Sequence, residues 1–151
     1  MTGKHEALDR PLRPFHLAVC VHDLNAARAF YGDLLNCAEG RSDDNWIDFN
    51  LYGHQFVCHL SATMTGIVPG NLNLVDGDAV PVPHFGVVLP MDEWRALSAQ
   101  LRAAGVDFLL EPRTRFAGEA GEQGTLFVQD PSGNVLEFKG FQDIGELFRA
   151  D

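Results

Sequence analysis

Two histidines and one glutamate combine residue types and positions that suit a divalent metal. His16 and His84 each open an apolar stretch, PFHLAV and PHFGVV, and Glu137 lies in the middle of VLEFKGF. Taken singly, each has an ordinary alternative, a hydrogen-bonded core histidine or a solvated glutamate. Two histidines with one carboxylate, however, are typical ligands of a divalent metal, and they are the ligands of Fe(II) in non-haem oxygenases in particular. The three together therefore predict a metal site.

Strands are the elements that must position these side chains. Two apolar runs, LFV and VLEF, flank the turn sequence at Asp130–Asn134, which predicts a β-hairpin. Alternation in its second strand separates Glu137 from Leu136 and Phe138. The stretch Phe15–Val21 alternates in the same way. Strands hold ligands rigidly and leave one side open for a substrate.

The order of predicted elements occurs twice along the chain. A strand at Phe15–Val21 precedes a helix from Leu24 to Leu35 and a run of strands, and a strand at His84–Leu89 precedes a helix from Asp92 to Ala104 and further strands. We expect an N-terminal arm (1–13) and a single domain (14–151), divided into module one (14–60), a linker (61–83), module two (84–141) and a short C-terminal helix (142–151).

His59 is a further candidate for the site. It follows His16 by nearly the interval that separates His84 from Glu137, once the longer loop at 113–123 is allowed for. This spacing predicts that His59 and Glu137 are equivalent in the last strand of each module. His59 would then be a fourth ligand or a nearby catalytic proton carrier.

Two arginines could bind the substrate. Arg113 and Arg115 lie in the glycine-rich stretch Glu111–Gly124, which is predicted to be a long loop. A guanidinium group binds a carboxylate through two parallel hydrogen bonds, so the pair could clamp an acidic substrate, and the loop could serve as a lid. The alternative is two solvated arginines on a mobile loop.

Composition excludes several classes of partner. The 151 residues carry a formal charge of −10, which argues against nucleic acids and anionic membranes but permits a metal or a cationic ligand. The three cysteines form no CxxC motif, which favours reduced thiols and a cytoplasmic location. No apolar run is long enough for a membrane span.

Four motifs together resemble a known superfamily. PFHLAV, RAFYGDLL, PHFGVVL and DPSGNVLEF are similar to sequences of the vicinal-oxygen-chelate superfamily, also called the glyoxalase/bleomycin-resistance/dioxygenase group, over about residues 14–141. The resemblance implies an α+β fold in which two βαβββ modules form a barrel-like, cleft-bearing mixed or antiparallel sheet with helices outside. It implies metal ligands at His16, His84 and Glu137, with His59 at a fourth position that glyoxalases usually fill with glutamate. It also implies a homodimer.

The resemblance leaves three functions open. In the first, a small substrate with two neighbouring oxygens binds a divalent metal, Fe²⁺ being favoured over Zn²⁺, Ni²⁺ or Mn²⁺, and the chain is a dioxygenase. In the second, the metal and a base carry out glyoxalase-like lyase or isomerase chemistry. In the third, the chain sequesters a drug without catalysis, as bleomycin-resistance proteins do. The negative charge suits the third function, whereas the retained ligands favour the first two.

Overall fold

The computed structural model describes residues 11–63, 71–119 and 121–150. Module one has the order βαβββ: β1 (His16–Val21), α1 (Leu24–Ala27) continued as a π-helix (Arg28–Leu34), β2 (Ala38–Asp43), β3 (Trp46–Leu51) and β4 (His54–Leu60). A hairpin follows, β5 (Asn71–Val75) and β6 (Asp78–Val82). Module two repeats the order: β7 (Phe85–Pro90), α2 (Met91–Ala103), β8 (Leu110–Arg115), β9 (Gln123–Gln129) and β10 (Val135–Phe141). A 3₁₀ helix at Ile144–Glu146 comes last.

The two modules share one sheet topology. Module one forms a four-stranded sheet in the order β1-β4-β3-β2, and module two forms another in the order β7-β10-β9-β8. In both, the first and last strands run parallel and the other pairs are antiparallel. The α+β fold of two βαβββ modules is therefore confirmed. Within the described ranges the strands form three separate sheets, one of them the β5–β6 hairpin, and no closed barrel.

Both sheets contribute one face to the same hydrophobic core. Leu17, Val19 and Val21 of β1 pack into a cluster that also contains Leu136 and Phe138 of β10. Side chains of a strand alternate between faces, so the face of β1 that carries His16 and the face of β10 that carries Glu137 both point away from this core.

A buried polar contact joins the modules. The Tyr31 hydroxyl, fully buried in the core, donates to Asp130 Oδ2 at 2.8 Å. Asp130 also accepts hydrogen bonds from the backbone N–H of Ser132 at 2.9 Å and from the backbone and side chain of Asn134, both at 2.8 Å. The Asn134 amide donates in turn to the carbonyl of Cys20 at the end of β1. The motifs AFYGDLL and DPSGN thus meet in space.

Besides the linker, three segments differ from their predicted structure. The predicted loop after the first helix contains β2, whose six residues are all exposed and show no alternation of polar and apolar side chains. The predicted loop at 111–124 contains β8, an edge strand that includes Arg113 and Arg115. The predicted C-terminal helix contains only the short 3₁₀ turn.

The predicted linker contains the β5–β6 hairpin. Its turn residues Asp76 and Gly77 both have positive φ, 46° and 83°, which is the conformation of a tight two-residue hairpin turn. Residues 64–70 of the linker and 1–10 of the arm lie outside the described part of the chain. The module boundaries therefore stay predictions.

Among the described helices, none has the length and apolar character needed to cross a membrane.

Candidate metal site

His84 and Glu137 meet where the first and last strands of module two run side by side. Glu137 lies opposite Gly86 in the parallel β7–β10 pair, and His84 immediately precedes β7. His84 Nε2 lies 3.0 Å from Glu137 Oε2, with the histidine side chain 24% exposed and the glutamate side chain 7% exposed. The structure therefore brings together two of the three predicted metal ligands.

The remaining polar atoms of this pair are already bonded. His84 Nδ1 contacts the carbonyl oxygen of Pro81, which can only accept, so Nδ1 carries a proton and donates it. Thr125 Oγ1 donates to Glu137 Oε1 at 2.7 Å. These bonds direct Nε2 and Oε2 toward one another. Metal-binding histidines and carboxylates are commonly oriented by such outer partners.

Hydrogen bonds within the pair favour the charged form of each side chain. The hydrogen bond to Glu137 raises the pKa of His84 and outweighs the opposing effect of burial. Burial alone would raise the pKa of Glu137, but hydrogen bonds from His84 and Thr125 overcome it, so that this pKa is lowered. A divalent cation held by His84 and Glu137 would take the place of a proton, which is the usual exchange on metal binding. This donor set fits a divalent metal.

In module one, the Nδ1 atom of His16 also contacts an oxygen atom, as Nδ1 of His84 does in module two. His16 Nδ1 lies 2.9 Å from Gln55 Oε1 on the neighbouring strand β4, and the residue is exposed. No hydrogen bond to its Nε2 comes from the described residues. Within the described ranges, no group of three His, Cys, Asp or Glu side chains is close enough to hold a metal. The structure thus pairs His84 with Glu137 and leaves His16 of the same chain elsewhere.

The strand register corrects the proposed equivalence of His59 and Glu137. Ala18 and Gly86 each follow the first-strand histidine by two positions, and they lie opposite Val57 and Glu137, respectively. Val57 is therefore the counterpart of Glu137. The spacing between His16 and His59 predicts a different counterpart because it assigns the whole length difference between the modules to the 113–123 loop. His59 is exposed, and its catalytic role stays a prediction.

Arg113 and Arg115 contact aspartates of the β5–β6 hairpin. Arg113 pairs with Asp76 at 3.2 Å and with Asp78 at 3.1 Å. Arg115 is only 3% exposed, lies 3.4 Å from Asp78 and stacks over the Phe127 ring at 5.7 Å. Their binding of substrate stays a prediction, whereas the ion pairs join β8 to the β5–β6 hairpin.

Sequence reasoning missed two outer partners of the candidate ligands. Thr125 and Phe127 are two residues apart on β9 and share a face, and they lie opposite Lys139 and Glu137, so strand alternation could have indicated Thr125. The Pro81 carbonyl has no signal in the sequence, because any residue at that position supplies a carbonyl.

We expect Gly86→Ala to destabilise the fold. A Cβ at this position would lie 1.5 Å from the backbone oxygen of Glu137, so that β7 and β10 would have to separate. The expected loss is about 1–3 kcal/mol in the free energy of unfolding, measured by urea denaturation. Ala18→Gly, at the matching position of β1, is the control and should cost about 0.5–1 kcal/mol. Equal losses for both variants would contradict the close approach.

Comparisons with known proteins agree with this architecture. The sequence profile of the Glyoxalase family, described as the glyoxalase/bleomycin resistance protein/dioxygenase superfamily, matches residues 13–138. A crystal structure of a glyoxalase/bleomycin resistance protein/dioxygenase from Alicyclobacillus acidocaldarius is similar, with 30% identity, coverage of 93% of this chain and 100% of that one, and a TM-score of 0.76. No curated protein matched the sequence.

Two more distant structures share the fold. The fosfomycin resistance protein FosX from Listeria monocytogenes is 18% identical, with coverage of 93% and 100% and a TM-score of 0.62. Lactoylglutathione lyase from Agrobacterium tumefaciens is 19% identical, with coverage of 93% and 98% and a TM-score of 0.60. Because the profile spans most of the sequence and the Alicyclobacillus protein matches it almost end to end, the chain belongs to the glyoxalase/bleomycin resistance protein/dioxygenase superfamily.

Proposed function

We propose that the chain is an enzyme dependent on a divalent metal, which His84 and Glu137 hold together with His16. The observation that carries the proposal is the His84 Nε2–Glu137 Oε2 contact of 3.0 Å, with both outer atoms occupied by Pro81 and Thr125. Two ligands already oriented toward one point lower the entropic cost of binding a metal there. The substrate class is a small molecule with two neighbouring oxygens.

We further propose that the third ligand is His16 of a second copy. The faces carrying His16 and Glu137 both point away from the shared core, and the described part of one chain contains no three-ligand group. His16 is exposed, and its Nε2 has no hydrogen bond from the part of the chain that the structure describes, so a neighbouring chain could supply this ligand. A two-fold dimer would form two such sites, each with the same ligands.

Mixing two inactive variants tests where the third ligand originates. His16→Ala and Glu137→Ala each remove one ligand from every site. In a dimer formed from one chain of each variant, one site keeps His16 from one copy and His84 with Glu137 from the other. Refolding an equal mixture should restore about one quarter of the wild-type metal sites by random pairing. If the site lies within one chain, the mixture binds no more metal than the separate variants.

The chain's own residues define what the site can do. A bound metal would supply Lewis acidity toward the substrate's oxygens. Glu137 supplies the negative charge and His84 the neutral nitrogen that hold the metal, while Thr125 and Pro81 fix their orientation. His59, exposed on the same face of module one as His16, is our candidate for moving a proton to or from the substrate.

The dioxygenase is the reaction that the ligand types favour. Two histidines and one carboxylate, with Val57 rather than a fourth ligand at the matching position, correspond to the non-haem Fe(II) oxygenase pattern. Anaerobic purification, elemental analysis and oxygen consumption with a panel of catechols test it. One equivalent of iron with substrate-dependent oxygen uptake supports a dioxygenase. Iron without oxygen uptake, or another metal, contradicts it.

A lyase or isomerase is the second candidate. The observation that favours it is the exposed imidazole of His59 on the His16 face, because proton transfer requires a nearby base with an accessible nitrogen. Nickel or zinc in the same elemental analysis, with turnover in the absence of oxygen, would support this reaction. A chain that binds no metal at all would contradict both enzymes and would support drug sequestration.

A further inference from the structure

The β5–β6 hairpin contributes directly to the orientation of His84. The carbonyl of Pro81, in β6, accepts the hydrogen bond from His84 Nδ1. This bond fixes which imidazole nitrogen faces Glu137. The orientation of one candidate ligand therefore depends on where the hairpin lies.

The hairpin packs beside the site. Val80, 3% exposed, and Val75 belong to a small cluster with Phe127 and Val135. The ring of Phe127 in turn meets the His84 ring edge-on, with 5.0 Å between centroids. Any displacement of the hairpin would change both the packing and the hydrogen bond of His84.

Charged residues hold the turn of the hairpin against β8. We call Asp76, Asp78, Arg113 and Arg115 the aspartate–arginine clamp. Arg113 contacts both aspartates, and Asp78 contacts both arginines. Asp76 Oδ2 also accepts from the backbone N–H of Phe116 at 3.1 Å. The two segments are thus joined by several charge-assisted bonds, which are stronger than neutral ones.

Asp78 is central to the clamp because of Arg115. The Arg115 side chain is 4% exposed, and two of its nitrogens have no hydrogen-bond partner within the described part of the chain. Asp78 supplies the nearby negative charge that offsets this buried cation. Loss of that charge would leave a buried guanidinium uncompensated, which favours movement of the hairpin away from β8.

We propose that the aspartate–arginine clamp positions His84 for the metal by fixing the β5–β6 hairpin, with Asp78 as its central positioning residue. The metal part of this inference rests on the proposed function. The clamp acts through the Pro81 carbonyl and touches neither metal nor substrate. It gives Arg113 and Arg115 a positioning role, which is separate from their predicted binding of substrate.

The metal test uses Co²⁺ and the full-length chain. Asp78→Asn should weaken Co²⁺ binding about tenfold and change the visible absorption of the bound ion, because outer partners of ligands typically contribute that much. Asp78→Glu should restore part of the affinity. Glu111→Gln, which breaks the exposed ion pair between Glu111 of β8 and Arg102 of α2, should leave the Co²⁺ affinity unchanged. Arg113→Gln is the milder variant should Asp78→Asn fail to fold.

A second measurement needs no metal. In ¹⁵N NMR spectra of the metal-free protein, solvent exchange of the His84 Nδ1–H should be about tenfold faster in Asp78→Asn or Arg113→Gln than in the wild type. This rate reports the Pro81 bond directly. If the wild type binds no Co²⁺, the proposed function fails, and the exchange rate alone decides the positioning role. An unchanged rate in both folded variants overturns the inference, whatever the metal affinity.

Discussion

Glu137→Gln should lower the affinity for Fe²⁺ or Co²⁺ by more than about 100-fold, since loss of an outer partner alone costs 10- to 100-fold. The amide has nearly the same shape and can still accept the Thr125 hydrogen bond, so the change removes charge with little change in packing. A neutral amide cannot offset the charge of a divalent cation in a site that is largely buried. Isothermal titration calorimetry with either ion measures the effect.

Glu39→Gln is the matched control for Glu137→Gln. Glu39 is also a carboxylate in an ion pair, with Arg28 at 3.0 Å, but it lies on the surface of module one. The control should bind metal as the wild type does. Metal content of Glu137→Gln equal to that of the control would exclude Glu137 as a ligand.

Asp130→Ala should produce the largest loss of stability, about 3–5 kcal/mol in the free energy of unfolding. The carboxylate accepts four hydrogen bonds, including one from the Tyr31 hydroxyl. Its removal leaves the buried hydroxyl without an acceptor and loosens the turn of the β9–β10 hairpin. Urea denaturation at a fixed protein concentration measures the loss, because dimerisation would make stability depend on concentration.

Two further variants isolate the contact between Tyr31 and Asp130. Tyr31→Phe removes only the hydroxyl and should cost about 1 kcal/mol, since Asp130 keeps its other partners. Asp143→Ala removes a carboxylate that caps an exposed turn and should leave the urea midpoint nearly unchanged. If Asp130→Ala behaved like Asp143→Ala, the buried network would have no role in stability.

The sequence predicted the elements that carry strong local signals. The β9–β10 hairpin and the separation of Glu137 from Leu136 and Phe138 follow from the turn sequence and strict alternation, and the structure confirms both. The duplicated βαβββ order is also confirmed. In these cases, the apolar pattern and the backbone preference of each residue indicate the same structure.

Elements with weak local signals were missed. β2 is entirely exposed, so no apolar side chain marks a face, and β5–β6 contains the Asn, Gly and Pro residues that usually indicate a loop. Only pairing with a neighbouring strand makes these segments regular.

The residues of the candidate site also fall into those that the sequence predicts and those that it does not. His84 and Glu137 were predicted from strand chemistry and lie together. The register that places Val57 opposite Ala18 could not be predicted, because the interval between two residues does not show where extra residues are inserted. The carbonyl of Pro81 and the charges of the aspartate–arginine clamp depend on tertiary structure alone.

The core that both sheets share limits what either half of the chain could do alone. Leu17 and Val19 complete an apolar surface whose other side is supplied by Leu136 and Phe138. A polypeptide ending before β7 would expose that surface to water, and we expect it to aggregate. Each half of the chain therefore depends on its counterpart to bury its apolar face.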